Sequence, residues 1–191
     1  LSALCASLLA AMVLLQPASA TTGPLQHPEW SAHAVVYELN VRQYTEAGTL
    51  RAVIPELAKI RALGTDILWV MPVQPIGIKG RKGTLGSYYS VRDYTAVNPE
   101  FGTLEDARAL VRRAHELGLK VILDWVANHT AWDHPWITQH PDWYRKGTDG
   151  QISAVKANPD DPNDTEFWED VAQLDYTKPE MAVAMIEAMR F

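Results

Sequence analysis

The stretch VILDWVANHTAWDHPW, Val121 to Trp136, carries an apolar run into Asp124, Asn128 and His129. A carboxylate, an amide and an imidazole in that order can bind a polar ligand, relay a proton or ligate a cation. Asp124 and Asn128 are four positions apart, so in an extended segment both side chains project from one face. A purely structural role competes on equal terms, with Asp124 satisfied by a buried arginine and Asn128 holding a loop. Farther on, Trp132, Trp136, Trp143, Tyr144 and Trp168 give the chain a high local aromatic density. Flat rings beside carboxylates suit a sugar cleft, because a pyranose presents apolar C–H faces and a polar rim. Most of these rings are nevertheless expected to fill the small core of a subdomain.

Other chemistries find less support. His129, Asp133 and His134 lie close together, but their spacing matches neither H-E-x-x-H nor a Cys/His zinc pattern. The acidic run DDPNDTE, Asp160 to Glu166, offers oxygens to calcium yet lacks the glycine and terminal spacing of an EF-hand loop. The chain has no Gly-rich phosphate loop and no Gly-x-Ser-x-Gly. Its single cysteine, Cys5, allows no intrachain disulfide.

The elements that must position these residues alternate in type. Ala34 to Tyr44 mixes β-branched, aromatic and polar residues and predicts a first strand. Leu50, Val53, Ile54, Leu57, Ala58 and Ile60 recur at helical spacing up to Gly64, with Pro55 predicting a kink or a late start. Thr65 to Met71 predicts a second strand, stopped by Pro72. Residues 74–87 are rich in glycine and basic side chains and read as a loop. Thr103 and Asp106 resemble a capping box ahead of a helix that stops at Gly118. Lys120 to Ala127 predicts a third, buried strand. Residues 128–176 show no convincing period, and Pro179 opens a final helix. Strand–helix alternation with near-continuous apolar strands implies an α/β chain with a parallel sheet, doubly wound or barrel. In either sheet type ligands bind beyond the carboxyl ends of the strands, which is where Asp124, Asn128 and His129 fall.

The chain has 191 residues, 47% hydrophobic and 21% charged, with a formal net charge of −6. That composition is globular and long enough for a sizeable core. The acidic balance and scattered basic residues argue against a nucleic-acid partner or a polybasic membrane surface. Leu4 to Leu15 is an apolar run too short for a membrane span, followed by Ala18-Ser19-Ala20 in the small-x-small pattern of a cleavage site. Residues 1–20 therefore read as an export signal whose basic start is missing, residues 21–33 as a linker, and the mature protein as secreted or periplasmic with no membrane span.

Three ordered motifs resemble the α-amylase superfamily (glycoside hydrolase family 13). Asp124-Trp-Val-Ala-Asn128-His129 resembles its first signature, Gly64 to Pro72 its strand-two segment, and Gly86-Ser-Tyr-Tyr89 through Thr103 the loop and helix start that follow. The resemblance implies a partial TIM (β/α)8 barrel: residues 34–127 supply the first three βα units. Residues 128–176 form a small irregular domain inserted after strand three, and residues 177–191 begin the third barrel helix. It implies an α-glucan or maltooligosaccharide substrate, with Tyr89 stacking on the sugar and His129 hydrogen-bonding its hydroxyls. It gives Asp124 a supporting role bracing an arginine. Asn128 matches a calcium ligand of calcium-binding members. Gln173 stands where such members often carry a ligating aspartate, and an amide brings no charge to the ion. The implied activity is retaining cleavage of α-1,4-glucosidic bonds, with glucan transfer, isomerisation, or a non-catalytic binding relative as alternatives. Retaining chemistry needs two carboxylates about 5–5.5 Å apart. In the family these come from later strands, so this chain is expected to be a fragment, inactive by itself and poorly soluble.

Overall fold

The structure, a computed structural model, describes residues 26–161, 163 and 165–191. The expected export signal, residues 21–25 of the expected linker and two residues of the acidic run, Pro162 and Asp164, lie outside the described residues. Residues 1–32 and 33–191 are separate compact units, and of the first a single 3-10 turn at Glu29–Ser31 is described.

The second unit begins with three parallel strands, β1 (Val36–Leu39), β2 (Ile67–Val70) and β3 (Lys120–Leu123), in the order β1-β2-β3. Val36 pairs with Ile67 and Ile67 with Lys120, so all three strands end at one edge. The crossovers are helical. The first runs through α1 (Val41–Tyr44), α2 (Leu50–Val53) and α3 (Leu57–Ala62), the last two separated by a 3-10 turn at Ile54–Glu56. Pro55 produces this interruption, since it lacks the N–H that an α-turn requires. The second crossover holds α4 (Leu104–Glu116), opened by the capping box: Thr103 Oγ1 accepts the Asp106 N–H, and Asp106 Oδ2 accepts the Thr103 N–H. It stops at Gly118, whose φ of 78° suits glycine. Leu39, Leu57, Ile60, Leu68, Leu110 and Leu119 form the core between these helices and the sheet.

The first strand is shorter than the sequence suggests. After Leu39 the chain turns at Asn40, whose carbonyl accepts the Gln43 and Tyr44 N–H groups and starts α1. The third strand is also shorter, and it is not buried. Ile122 and Leu123 are 47% and 52% exposed, because β3 is an edge strand with a single neighbour. Its ladder ends where Asp124 N donates to Val70 O. Beyond it, side-chain hydroxyls replace backbone partners: Tyr94 Oη donates to Val126 O at 2.7 Å, and Tyr176 Oη donates to Ala127 O at 2.7 Å.

The stretch without a visible period is mostly loop, but it contains a small antiparallel sheet that the sequence did not announce. Strands β4 (His129–Ala131), β5 (Ala154–Lys156) and β6 (Phe167–Gln173) lie in the order β4-β6-β5. Each is short or bulged, so no run is long enough to display alternation. Two short helical turns, α5 (Trp136–Gln139) and a 3-10 turn at Pro141–Trp143, precede β5. The final helix, α6 (Pro179–Met189), turns Met181 and Met185 into a second core with Tyr94, Val126, Trp143, Tyr144 and Leu174. Among the described residues no helix is long and apolar enough to cross a membrane.

Candidate functional site

The carboxyl ends of β1, β2 and β3 open on one side, and the loop from Met71 to Thr103 rises over them. Three devices hold this loop. Ile76 bridges Val91, and Val91 O in turn accepts the Ala131 N–H from β4. The Arg81 guanidinium donates to Gly77 O at 2.8 Å and Ile76 O at 3.2 Å, gathering carbonyls that would otherwise lack donors. Arg42 lies over the rings of Tyr88 and Phe101, 4.5 and 5.4 Å from their centroids, a cation–π arrangement beside Tyr89.

Tyr89 itself is partly exposed, and its hydroxyl donates to Asp124 Oδ2 at 3.1 Å. Burial, then the charge of Asp124, raises the Tyr89 pKa, so the phenol stays a donor. Among the described residues no arginine pairs with Asp124; its partner is this phenol. His129, at the start of β4, is buried. Its Nδ1 lies 3.1 Å from Asn128 Nδ2, which can only donate, so Nδ1 accepts. The proton then sits on Nε2, which donates to Tyr89 O at 3.1 Å. Burial lowers the His129 pKa, against smaller opposing effects of Tyr89 O and Asp170, and favours the neutral ring. Tyr89, Asp124, Asn128 and His129 are thus brought together as one hydrogen-bonded group, with both ring nitrogens of His129 engaged by the protein.

A cavity of about 410 Å³ adjoins this group, lined by Lys82, Ser87, Tyr89, His129, Trp168, Asp170 and Val171. Trp168 meets the His129 ring edge-on, with centroids 6.2 Å apart, and keeps 45% of its surface exposed. Lys82 Nζ pairs with the buried Asp170 Oδ1 at 3.1 Å. Lys82, Asp170 and Trp168's place at the cleft escaped sequence reasoning, because no motif joins a glycine-rich loop to a bulged strand nearly ninety residues away. A larger cavity of about 470 Å³ lies against Leu110, Leu123, Trp125 and Phe191. Its walls are mainly aliphatic, so it is packing space along the open edge of β3 rather than a site. The other aromatics divide as their chemistry suggests: Trp136, Trp143 and Tyr144 pack in the second core, and Trp132 Nε1 donates to Glu169 O at 2.7 Å.

The described residues do not assemble a metal centre. His134 Nδ1 accepts the Trp136 N–H and Asp133 Oδ2 accepts the Ile78 N–H, so one atom of each is held by a backbone group, while Asp133 Oδ1 is buried without a hydrogen-bond partner. In the acidic run, Asp161 Oδ1 accepts the Asn163 N–H and closes a turn. At Asn128, which matches a calcium ligand of calcium-binding members, Gln173 Nε2 donates to Asn128 Oδ1 and to Asn128 O, each at 3.0 Å. Among the described residues no group of three or more His, Cys, Asp or Glu could hold a metal ion.

A parallel βα sheet with an aromatic, partly polar cleft at its carboxyl edge has the ligand-site placement of an α/β enzyme. The family described as "Alpha amylase, catalytic domain" matches residues 32–191, and the chain belongs to the alpha-amylase family. Its three parallel strands are part of that family's TIM barrel and do not close a barrel by themselves. It is 34% identical to an alpha-1,4-glucan:maltose-1-phosphate maltosyltransferase of Rhodospirillum rubrum, over 86% of this chain and 26% of the relative. It is 32% identical to the trehalose synthase/amylase TreS of Mycobacterium tuberculosis, over 86% of this chain and 31% of the relative. Among solved structures, an alpha-amylase from Lactobacillus plantarum is 46% identical with a TM-score of 0.74, covering 82% of this chain and 35% of that one. The chain thus spans about a quarter to a third of the length of these relatives.

Proposed function

We propose that this chain forms the sugar-binding side of an α-glucan-active enzyme that cleaves α-1,4-glucosidic bonds with retention of configuration. The observation that carries the reading is the cleft in which the Tyr89 ring and Trp168 flank His129, with the Tyr89 hydroxyl held by Asp124. An exposed ring with a fixed hydroxyl suits the apolar face of a glucose unit, and stacking costs little because the ring is already oriented. Neutral His129 presents an N–H edge at the cleft that a sugar hydroxyl can share with Tyr89 O. Asp124 accepts the Tyr89 phenol through Oδ2 and so helps to orient that ring, beside its expected role of bracing an arginine. The nucleophile and the acid/base carboxyl that retention requires come from residues other than these.

A second reading is glucosyl transfer or isomerisation. It is favoured by the maltosyltransferase and trehalose synthase among the similar proteins. Maltoheptaose and maltose, given separately to the full-length protein, separate the two. Hydrolysis releases one new reducing end per bond, initially as the α-anomer. Transfer redistributes chain lengths with no net gain of reducing ends, and isomerisation of maltose removes them. Binding without any change in either sugar would overturn both and leave a non-catalytic relative. Export to the periplasm or medium is part of the proposal, supported by the apolar run and Ala18-Ser19-Ala20. It is tested by cell fractionation with N-terminal sequencing, which should begin near Thr21.

A further inference from the structure

We infer that the amide of Gln173 performs, without a metal, the cross-linking that a cation would perform between β6 and the segment after β3, and that it thereby positions His129. Gln173 Nε2 faces three oxygens: Asn128 O at 3.0 Å, Asn128 Oδ1 at 3.0 Å and Leu174 O at 3.3 Å. Two of these are peptide carbonyls, which can only accept. The amide nitrogen and not its oxygen must therefore face them, so chemistry fixes the orientation of the side chain. Three oxygens converging on one point are what a cation site presents, and here a neutral NH2 group fills that point. A calcium ion needs six to eight oxygens, several of them charged. Neither Asn128 nor Gln173 carries charge, and Oε1 of Gln173 is turned away from the cluster.

The consequence reaches the cleft. With Oδ1 held by Gln173, Asn128 must direct Nδ2 toward His129 Nδ1, at 3.1 Å. His129 then carries its proton on Nε2 and donates to Tyr89 O. Four residues from β6, the segment after β3, β4 and the loop over the sheet form one directional chain of hydrogen bonds. Gln173 lies at its origin, opposite His129 in the β4–β6 ladder, and does not itself line the cleft, so it is a positioning residue. The metal-free character stands without the proposed activity; the positioning role gains its meaning from it.

The test uses the full-length protein. Adding EDTA or millimolar CaCl2 should shift the melting temperatures of wild type and Gln173→Leu equally, within about 1 °C, because no ion binds at Gln173. Gln173→Leu removes the donors and should melt about 3–6 °C lower in EDTA. Gln173→Glu, the same shape with acceptors in place of donors, should also melt lower and serves if the leucine variant does not fold. In ¹⁵N-histidine spectra, wild-type His129 should show Nδ1 unprotonated and Nε2 protonated, whereas the leucine variant should show the two averaged. A calcium-dependent rise in wild-type melting that Gln173→Leu abolishes would overturn the inference. So would variants that melt like wild type, or a wild-type His129 protonated on Nδ1.

Discussion

His134 makes the inserted segment sensitive to acid. The residue is 5% exposed, its ring lies 4.6 Å from that of Trp136 and 5.3 Å from that of Tyr94, and Nδ1 accepts the Trp136 N–H at 3.1 Å. Burial depresses its pKa from 6.5 to about 4, although Asp93 and Asp133 pull the other way. A protonated ring could not accept that N–H, so the folded state keeps it neutral where the unfolded chain would protonate it. The stabilisation is therefore complete above the unfolded pKa and is lost as pH falls through 6.5 toward 4. Between pH 7 and pH 5 the loss is about 2 kcal/mol, since one pKa unit corresponds to about 1.4 kcal/mol and some 1.5 units of the gap are crossed. Urea unfolding of the full-length protein, followed by tryptophan fluorescence, reads this through Trp136 and Trp143. The informative variant is His134→Asn: an asparagine oxygen can accept the N–H two residues on but does not titrate. His134→Asn should be less stable than wild type at pH 7, having lost ring packing, yet its stability should fall about 2 kcal/mol less on going to pH 5. His129 is also depressed by burial, but it is present in both proteins and cancels in the difference. Parallel stability–pH lines for the two proteins would refute the reasoning.

Other perturbations test the remaining contacts. Tyr94→Phe deletes a buried hydroxyl placed 2.7 Å from Val126 O and 2.9 Å from His129 O, and should cost about 1–3 kcal/mol, measured by urea midpoints. Gly77→Ala would set a methyl 2.4 Å from Ala131 Cβ in buried β4, so a loss of about 1–3 kcal/mol and a melting temperature several degrees lower are expected in thermal scans. Within the proposed function, Tyr89→Ala should weaken maltooligosaccharide binding about tenfold through loss of the stacking face, measured calorimetrically. Tyr89→Phe keeps the face, loses only the Asp124 bond, and should change affinity by no more than about fivefold.

The legible part of this protein is local in sequence. The capping box at Thr103 and Asp106, the break at Pro55 and the stop at Gly118 each depend on residues within one helical turn, so spacing alone reveals them. Alternation of apolar strands and periodic helices likewise suffices for a parallel α/β unit, because few other arrangements bury both kinds of pattern. The motif around Asp124 and His129 places polar side chains at a strand's carboxyl end for the same reason. β1 and β3 are shorter than strand propensity suggests, because the propensity persists through Asn40 and past Asp124 while the ladder that would use it does not. Whether a residue is paired depends on what lies across from it, as Ile122 and Leu123 show: apolar by type, yet exposed at an edge. The small antiparallel sheet, the Lys82–Asp170 pair and the hydrogen-bonded chain from Gln173 to Tyr89 join residues up to about ninety positions apart. Only tertiary packing sets those distances. It also decides that an amide nitrogen, rather than an ion, meets the oxygens of Asn128.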